Sequence, residues 1–438
     1  MKNRFKYFLF VLLLSTSKIA TAQITEKPEY GKFAITNAKI YTVSDAVIES
    51  GTVLIENGTI TEVVDGMAKI PAGYKTIDAT GKSVYPGFID SGTLLGLKEV
   101  EAVPVTNDQM ELGTFTPHVR AFTAINPASV NIPVTRVNGV TTVIAHPIGG
   151  TIAGKATLIN LYGYLPDSMA VVADAAMMMY WPRSGKRGWW DRRDEKKMKE
   201  EYEKTMKELD DYWENARFYN SMMNEYEASS KGKTKPDKNI EWDAMRAVFN
   251  GKLKVVIEVD KEKDILEALK WIAKQKDASF VLSSVQEGWR VADKIAEAKV
   301  PCLVGPVLRT RARSYESYLT SYENAAKLHK AGVLVAIRTG ETENVRNLNY
   351  NAGYAATYGL GTKEALKAVT INPAKIFGAD DKIGSLEKGK MANLMITNGD
   401  PFEPRTTIEA VFINGFKIPM ISRQTQLYQE YNDRDKTN

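Results

Sequence analysis

Polar side chains stand at the ends of several apolar runs in this chain of 438 residues. Asp90, Glu258 and Ser283 each fall at the end of such a run, and Arg338 and Glu341 follow another. Apolar runs of about four to eight residues are typical of buried parallel strands. Because the C-terminal ends of parallel strands meet at one face, we expect these five side chains to line one pocket.

Carboxylates serve as general acids and bases, or as ligands of Mg²⁺ and Ca²⁺. We therefore take Glu258, Glu341 and Asp90, the last at the base of the pocket, as candidate catalytic residues, with Ser283 and Arg338 as pocket-lining residues. Arg338 carries a permanent positive charge. A second interpretation is that Arg338 forms an ion pair with Glu258 or with Glu341, which would compensate charge buried in the pocket.

The chain has only three histidines. His146 follows an apolar run and precedes Pro147, so we place it at the rim of the same pocket, either in a pocket role or in an ordinary polar contact. His118 and His329 are expected to be structural or solvated. A zinc site built from these three histidines has no support in their spacing. The single cysteine, Cys302, cannot form an internal disulfide.

Apolar runs alternate with amphipathic helical segments from about residue 84 to 380, which predicts an α/β fold with a (β/α)8 TIM-like barrel. The predicted barrel strands are residues 83–89, 141–145, 156–161, 253–259, 279–283, 301–304 and 332–337. Both chain ends carry strand signals with Asn-Gly turns, so we predict one small β-sandwich built from residues 23–82 and 381–421. The barrel takes residues 83–380, and residues 422–438 form a polar tail.

Residues 183–240 interrupt this alternation with a stretch rich in Lys, Glu and Asp. One interpretation is a surface helical hairpin inserted between strands, which would contribute little to the barrel core. The other is a lid over the barrel mouth. Four aromatic residues close to its start could wall a pocket or anchor a partner: Tyr180, Trp181, Trp189 and Trp190.

The formal net charge is +5, but four of the 58 basic residues lie within the first 22. The rest of the chain is nearly neutral, which removes the main support for nucleic-acid binding. Residues 1–22 have a basic start, an apolar run at 8–14 and Ala-Thr-Ala at 20–22, the pattern of a cleaved export signal. We expect a periplasmic or secreted protein with no membrane span after cleavage.

With a β module at both ends and a barrel between them, several motifs become recognisable. Residues 85–90 (YPGFID), 138–143 (NGVTTV), 370–378 (TINPAKIFG) and 384–394 (GSLEKGKMANL) resemble motifs of the amidohydrolase superfamily, specifically its imidazolonepropionase-like branch. The resemblance covers nearly the whole mature chain. It implies the barrel fold and hydrolysis of non-peptide C–N bonds in small, often cyclic, substrates by a metal-bound hydroxide, often on zinc.

The metal ligands of that family are replaced in this sequence. The two histidines that follow the family's Pro-Gly-Phe-Ile-Asp motif correspond to Gly92 and Leu94. The resemblance places the bridging lysine or carboxylate near Asn160, with Lys155 close by. The two later histidines correspond to Glu258 and to Ser283 or Ser284, and the catalytic aspartate corresponds to Gly340. We therefore expect no metal cofactor.

Three functions remain open. The chain could be an amidohydrolase with an altered centre, or a non-catalytic subunit that forms a homo- or hetero-oligomer with a related, metal-bearing amidohydrolase. As an alternative, it could bind a small-molecule ligand in the old barrel pocket. Loss of all the ligand positions favours the second and third functions over the first.

Overall fold

The computed structural model describes residues 27–186, 190–311 and 313–435, and their strands form two sheets. The predicted export signal and Trp189 lie outside the described residues. The strands are β1 (Glu29–Tyr30), β2 (Phe33–Ile40), β3 (Ile48–Glu56), β4 (Thr59–Asp65), β5 (Lys75–Asp78), β6 (Ser83–Pro86), β7 (Phe88–Thr93), β8 (Val140–Ala145), β9 (Ile152–Asn160), β10 (Ala170–Tyr180), β11 (Lys254–Val259), β12 (Phe280–Ser284), β13 (Cys302–Val304), β14 (Val335–Ile337), β15 (Leu394–Thr397), β16 (Ile408–Ile413) and β17 (Phe416–Ile418).

Helices surround the barrel strands and end the described chain. The α-helices are α1 (Ala121–Ala124), α2 (Asn131–Arg136), α3 (Pro166–Met169), α4 (Glu195–Ala228), α5 (Ile240–Phe249), α6 (Glu262–Ile272), α7 (Ala292–Glu297), α8 (Thr320–Lys330), α9 (Leu348–Ala355), α10 (Thr362–Ala368), α11 (Ile371–Ile376) and α12 (Arg423–Asp435). Short 3₁₀ turns lie at Pro104–Thr106, Gly288–Arg290 and Asn344–Asn347, and a π-helical turn lies at Ala356–Leu360. Within the described ranges, none of the helices is both long and apolar enough to cross a membrane.

The predicted barrel is confirmed. Strands β7 to β14 are hydrogen-bonded in chain order, and the two edge strands approach each other. The Gly340 amide donates to the Gly92 carbonyl at 3.0 Å, and the Ser91 hydroxyl donates to the Ile337 carbonyl at 2.9 Å. Apolar side chains such as Ile144, Val256 and Leu303 fill the interior.

Strand β9 departs from the expected all-parallel arrangement, because it runs antiparallel to both β8 and β10. Only residues 146–151 connect β8 to β9, and a parallel crossover needs about a dozen residues or more. Strand β10 was missed, because its Ala- and Met-rich sequence carries weak strand signals.

The predicted first barrel strand, residues 83–89, is divided between the two sheets. Strand β6 belongs to the small sheet and β7 to the barrel, and Gly87 lies between them. A Cβ atom at Gly87 would lie 2.2 Å from the side chain of Thr141. Only glycine therefore lets the chain pass this close to β8 as it enters the barrel.

The small sheet takes strands from both chain ends, in the order β1-β17-β16-β15-β6-β2-β3-β4, and β5 pairs with β2. Phe33 on β2 and Phe412 on β16 are separated by two strands, yet their ring centroids are 5.2 Å apart. Because strands in a flat sheet lie about 4.8 Å from one another, the sheet must fold over its own core. The sandwich is thus one continuous sheet.

A buried amide network joins the small sheet to the barrel. The Asn393 side chain donates to Asn160 Oδ1 at 2.7 Å and to Thr142 Oγ1 at 3.2 Å. Because β9 is antiparallel, Asn160 at its end lies beside the beginning of β8 and away from the barrel mouth. The placement of Asn160 at a metal-ligand position is therefore wrong.

Helices α4 and α5 lie between β10 and β11 and pack against each other in the barrel's outer layer. The expectation that this segment contributes little to the barrel core was wrong. Trp213 of α4 is 1% exposed and packs edge-on against Trp271 of α6 and Phe249 of α5, with ring centroids 4.9 and 5.2 Å away. Asp210 accepts a hydrogen bond from the Trp271 indole at 2.8 Å. Helix α4 therefore completes the core outside the barrel strands, and its charged residues form only its solvent face.

The packing of Trp213 predicts that residues 191–235 cannot be deleted without unfolding the barrel. We expect Trp213→Ala to lower the free energy of unfolding by about 3–5 kcal/mol, as for other buried tryptophans replaced by alanine. Phe218→Ala is the matched control, because Phe218 lies on the same helix but is 65% exposed; it should change stability by less than about 0.5 kcal/mol. Equal effects of the two variants in urea denaturation would contradict this role of α4.

Candidate functional site

Five of the six predicted site residues lie at one end of the barrel. Asp90 is on β7, Glu258 on β11 and Ser283 on β12, while His146 directly follows β8 and Arg338 directly follows β14. Glu258 and Ser283 are paired in register on adjacent parallel strands. The parallel strands thus bring these residues to the C-terminal face, which is the usual location of active sites in such barrels.

Arg338 is the centre of this site. Its guanidinium is buried, with 6% of the residue exposed. Nη1 donates to the carboxylate of Glu258 and to the hydroxyl of Ser283, the latter at 2.5 Å. The Ser283 hydroxyl in turn donates to Glu258 Oε1 at 3.0 Å. A buried cation is thereby paired with a buried anion through hydrogen bonds, while Arg338 Nε has no partner among the described residues.

Both partners of this pair are charged at neutral pH. Burial alone would raise the pKa of Glu258, but the charge of Arg338 and the hydrogen bonds hold it below its ordinary value. Burial alone would lower the pKa of Arg338, but the charge of Glu258 more than offsets this and raises it. Glu258 is therefore an ion-pair partner with no proton to donate as a general acid.

His146 is held in one neutral form by the same arginine. Arg338 Nη2 lies 3.2 Å from His146 Nε2, and because an arginine can only donate, Nε2 must accept. The proton is then on Nδ1, which lies 3.3 Å from the carbonyl of Pro147. Burial and the charge of Arg338 lower the pKa of His146 to about 4. At neutral pH the imidazole is a polar contact of Arg338.

Asp90 is fully buried and connects the two edge strands of the barrel. Its carboxylate accepts from the Gly92 amide at 3.0 Å, from the Thr339 amide at 3.2 Å and from the Thr339 hydroxyl. Burial raises the pKa of Asp90 to about 6 although these hydrogen bonds act against the rise. The geometry gives Asp90 a role in barrel closure, and its catalytic role stays a prediction.

Glu341 does not join the other predicted residues. Its side chain is exposed, and its backbone carbonyl accepts from the hydroxyl of Thr93 and from the amide of Leu94 at 3.2 Å. Arg338 pairs with Glu258 and not with Glu341.

Two further residues support the site. Thr339 binds Asp90 through its hydroxyl, and in the sequence only its position next to Arg338 could have indicated this role. The Tyr180 hydroxyl donates to the Pro147 carbonyl at 3.2 Å.

Little space remains around the Arg338 guanidinium. A Cβ atom at Gly92 would lie 2.8 Å from Arg338 Nε and 2.9 Å from Cζ. The void beneath Arg338, which is lined also by Ile144, Val256 and Leu303 of the barrel interior, is too small to hold a water molecule. A histidine at position 92 and the present arginine therefore could not share this space.

The residues at this face do not fit the zinc that the resemblance implies. Zinc sites are built from Cys, His, Asp and Glu ligands in tetrahedral arrangement; across the described ranges of the chain, no three such residues are grouped to hold an ion. The available donors, Glu258 and the neutral His146, already contact a guanidinium. Lys155, close to the predicted bridging position, instead pairs with Asp174 of β10 at 3.4 Å.

The burial of the Arg338–Glu258 pair predicts a large loss of stability when the pair is broken. We expect Arg338→Ala to lower the free energy of unfolding by about 3–5 kcal/mol, because it leaves the Glu258 carboxylate buried without a partner. The double variant Arg338→Met/Glu258→Gln should be more stable than Arg338→Ala, because it removes both charges.

Arg405→Ala is the control for this experiment, since Arg405 is exposed, and it should change stability by less than about 0.5 kcal/mol. An Arg338→Ala effect as small as that of the control, measured by urea denaturation, would show that Arg338 is solvated and that the site is not charge-compensated in this way.

Comparison with known proteins identifies the family of this chain. The model of the Amidohydrolase family matches residues 135–418, well over half of the chain. Amidohydrolase tasK of Hapsidospora irregularis is 23% identical over 398 residues, 83% of this chain and 39% of that protein. The imidazolonepropionase of Thermoplasma volcanium is 35% identical over 120 residues, 24% of this chain and 29% of the relative. The matched parts thus span well under half the length of these curated relatives.

Solved structures show the same fold. The crystal structure of an amidohydrolase from Thermotoga maritima MSB8 matches with a TM-score of 0.76 and 27% identity, covering 88% of this chain and 99% of that chain. A prolidase complexed with N-methylphosphonate-L-proline matches with a TM-score of 0.53 and 14% identity, over 88% and 99% of the two chains, and shares the fold alone. The chain belongs to the amidohydrolase family, in its imidazolonepropionase-like branch.

Proposed function

We propose that this protein is an exported, non-catalytic member of the amidohydrolase family that acts as a subunit alongside a metal-bearing relative. The observation that carries the proposal is the buried guanidinium of Arg338 at the barrel mouth, paired with Glu258 and packed over Gly92. Two of the positions that the family resemblance assigns to metal ligands, 92 and 258, are thereby committed to holding an arginine.

Electrostatics supports the loss of the metal. A divalent cation placed among these residues would meet the permanent positive charge of Arg338, and the repulsion between like charges is strong where water is excluded. Because the charge of Glu258 is already offset by Arg338, the pair has no net negative charge to offset a metal ion. Hydrolysis by a metal-bound hydroxide therefore has no suitable site among these residues.

The buried ion pair argues against the alternative of a small-molecule binding protein that uses the barrel pocket. Glu258 and Ser283, two polar side chains that a ligand could contact there, already bind Arg338. A ligand that bound to them would have to displace Arg338 and break its buried ion pair. This cost favours a role without a ligand at these residues.

An exposed apolar segment supports association with another protein. After β7, the chain carries Val100, Val103 and Val105 on its surface, the last with 86% of the residue exposed. Grouped exposed apolar side chains are typical of interaction surfaces. Trp181, one of the aromatic residues suggested as an anchor by the sequence, is instead buried against Trp271 at a centroid distance of 5.9 Å and cannot serve.

The proposal is tested with the full-length protein captured from a periplasmic extract of its native host. We expect capture of a metal-bearing amidohydrolase, no hydrolysis of dipeptides or cyclic amides by the purified chain alone, and a mature N-terminus at Gln23. Val105→Asp should weaken the capture, because it places a charge in the apolar segment. Val47→Asp is the control, since Val47 is exposed in the small sheet region, and should capture normally.

Two results would contradict the subunit role. Hydrolysis by the isolated protein that disappears in Glu258→Gln would show a working active site. The absence of both hydrolysis and a related partner would leave the small-molecule binding protein as the remaining interpretation.

A further inference from the structure

A second cavity lies outside the Arg338 site, between the loop that follows β7 and the two helices α4 and α5. Its volume is about 600 Å³, within the range of small-molecule sites. None of its lining residues contacts Arg338 or Glu258 among the hydrogen bonds of the described residues. We call it the α4 groove, and it is lined by Glu111, Leu112, Phe115, His118, Tyr212 and Glu241, among others.

The walls of the α4 groove are fixed by the surrounding structure. The loop is hydrogen-bonded to β9 and the turn before it: the Thr116 amide donates to the Ile152 carbonyl at 2.7 Å, and the Lys155 amide donates to the Val119 carbonyl at 2.8 Å. The rings of Phe115 and Tyr212 stack with centroids 4.2 Å apart and planes 5° from parallel. The loop and helix α4 therefore present a formed aromatic surface.

Two carboxylates of the α4 groove, those of Glu111 and Glu241, form no hydrogen bond or ion pair within the described part of the chain. The Tyr212 hydroxyl oxygen is buried and makes no hydrogen bond there, an exception that calls for a reason. Burial, and then the charge of Glu241, raise the pKa of Tyr212, so the hydroxyl keeps its proton. No lysine or arginine of the described residues lies within 4.0 Å of the carboxylates of Glu241 or Glu111.

We propose that the α4 groove binds a small organic cation, a protonated primary amine on an aromatic or aliphatic body. The ammonium group is attracted by Glu241 and Glu111. The body of the ligand packs on the ring faces and on Leu112, an arrangement that also favours a cation near the aromatic rings. This site is independent of the proposed function, since it uses none of the residues at the barrel mouth.

Calorimetric titration of the purified full-length protein with 2-phenylethylamine tests the site, with 2-phenylethanol as the uncharged ligand of nearly the same shape. We expect the amine to bind with a Kd of about 1 mM or tighter, and the alcohol about tenfold more weakly or not at all. Glu241→Gln should weaken amine binding by about tenfold, because it removes the charge and keeps the shape.

Asp211→Asn is the control for removal of a carboxylate charge. Asp211 is exposed, is next to Tyr212 on α4 and does not line the α4 groove. This variant should bind the amine within about twofold of the unchanged protein. Equal binding of the amine and the alcohol, no binding of the amine at about 10 mM, or unchanged affinity in a folded Glu241→Gln variant would each overturn the proposal. The thermal unfolding of each variant shows whether it is folded.

Discussion

The ion pair between Arg338 and Glu258 sets the chemistry of the barrel mouth. Removing two charges from water costs several kcal/mol per ion, and only close contact with further hydrogen bonds recovers this cost. Ser283 and His146 supply those bonds. With the arginine in place, Glu258 is an anion, His146 is a neutral acceptor and Gly92 cannot carry a side chain. Arg338 thus fixes the states of its neighbours.

The ends of the barrel's edge strands hold the ion pair in position. Arg338 stands between Ile337, whose carbonyl accepts from Ser91, and Thr339, which is bound to Asp90. The backbone hydrogen bond from Gly340 to Gly92 completes this seam. The hydrogen bonds that close the barrel therefore also direct the guanidinium across the mouth, and the small sheet, anchored through Asn393, supports the barrel at β8 and β9.

The sequence could predict the barrel and much of the site because both depend on a simple rule: parallel strands end at one face. That rule placed Asp90, Glu258, Ser283 and Arg338 at one end. It failed for Asn160, because β9 is reversed by a connection too short for a crossover. It also failed for Glu341, since four residues beyond β14 the chain has left the pocket. The many charged residues of α4 suggested a helix exposed on the surface. The apolar residues at helical spacing around Trp213 were the better indication of its buried face.

The zinc content of the purified protein tests most directly whether the Arg338 guanidinium takes the place of the metal that the family resemblance implies. The protein is expressed with zinc supplied, purified without chelators and analysed for bound metal per chain. We expect far less than one zinc ion per chain, since Arg338 and its partners offer no free ligand set. About one tightly held zinc per chain would contradict the replacement of the metal by Arg338.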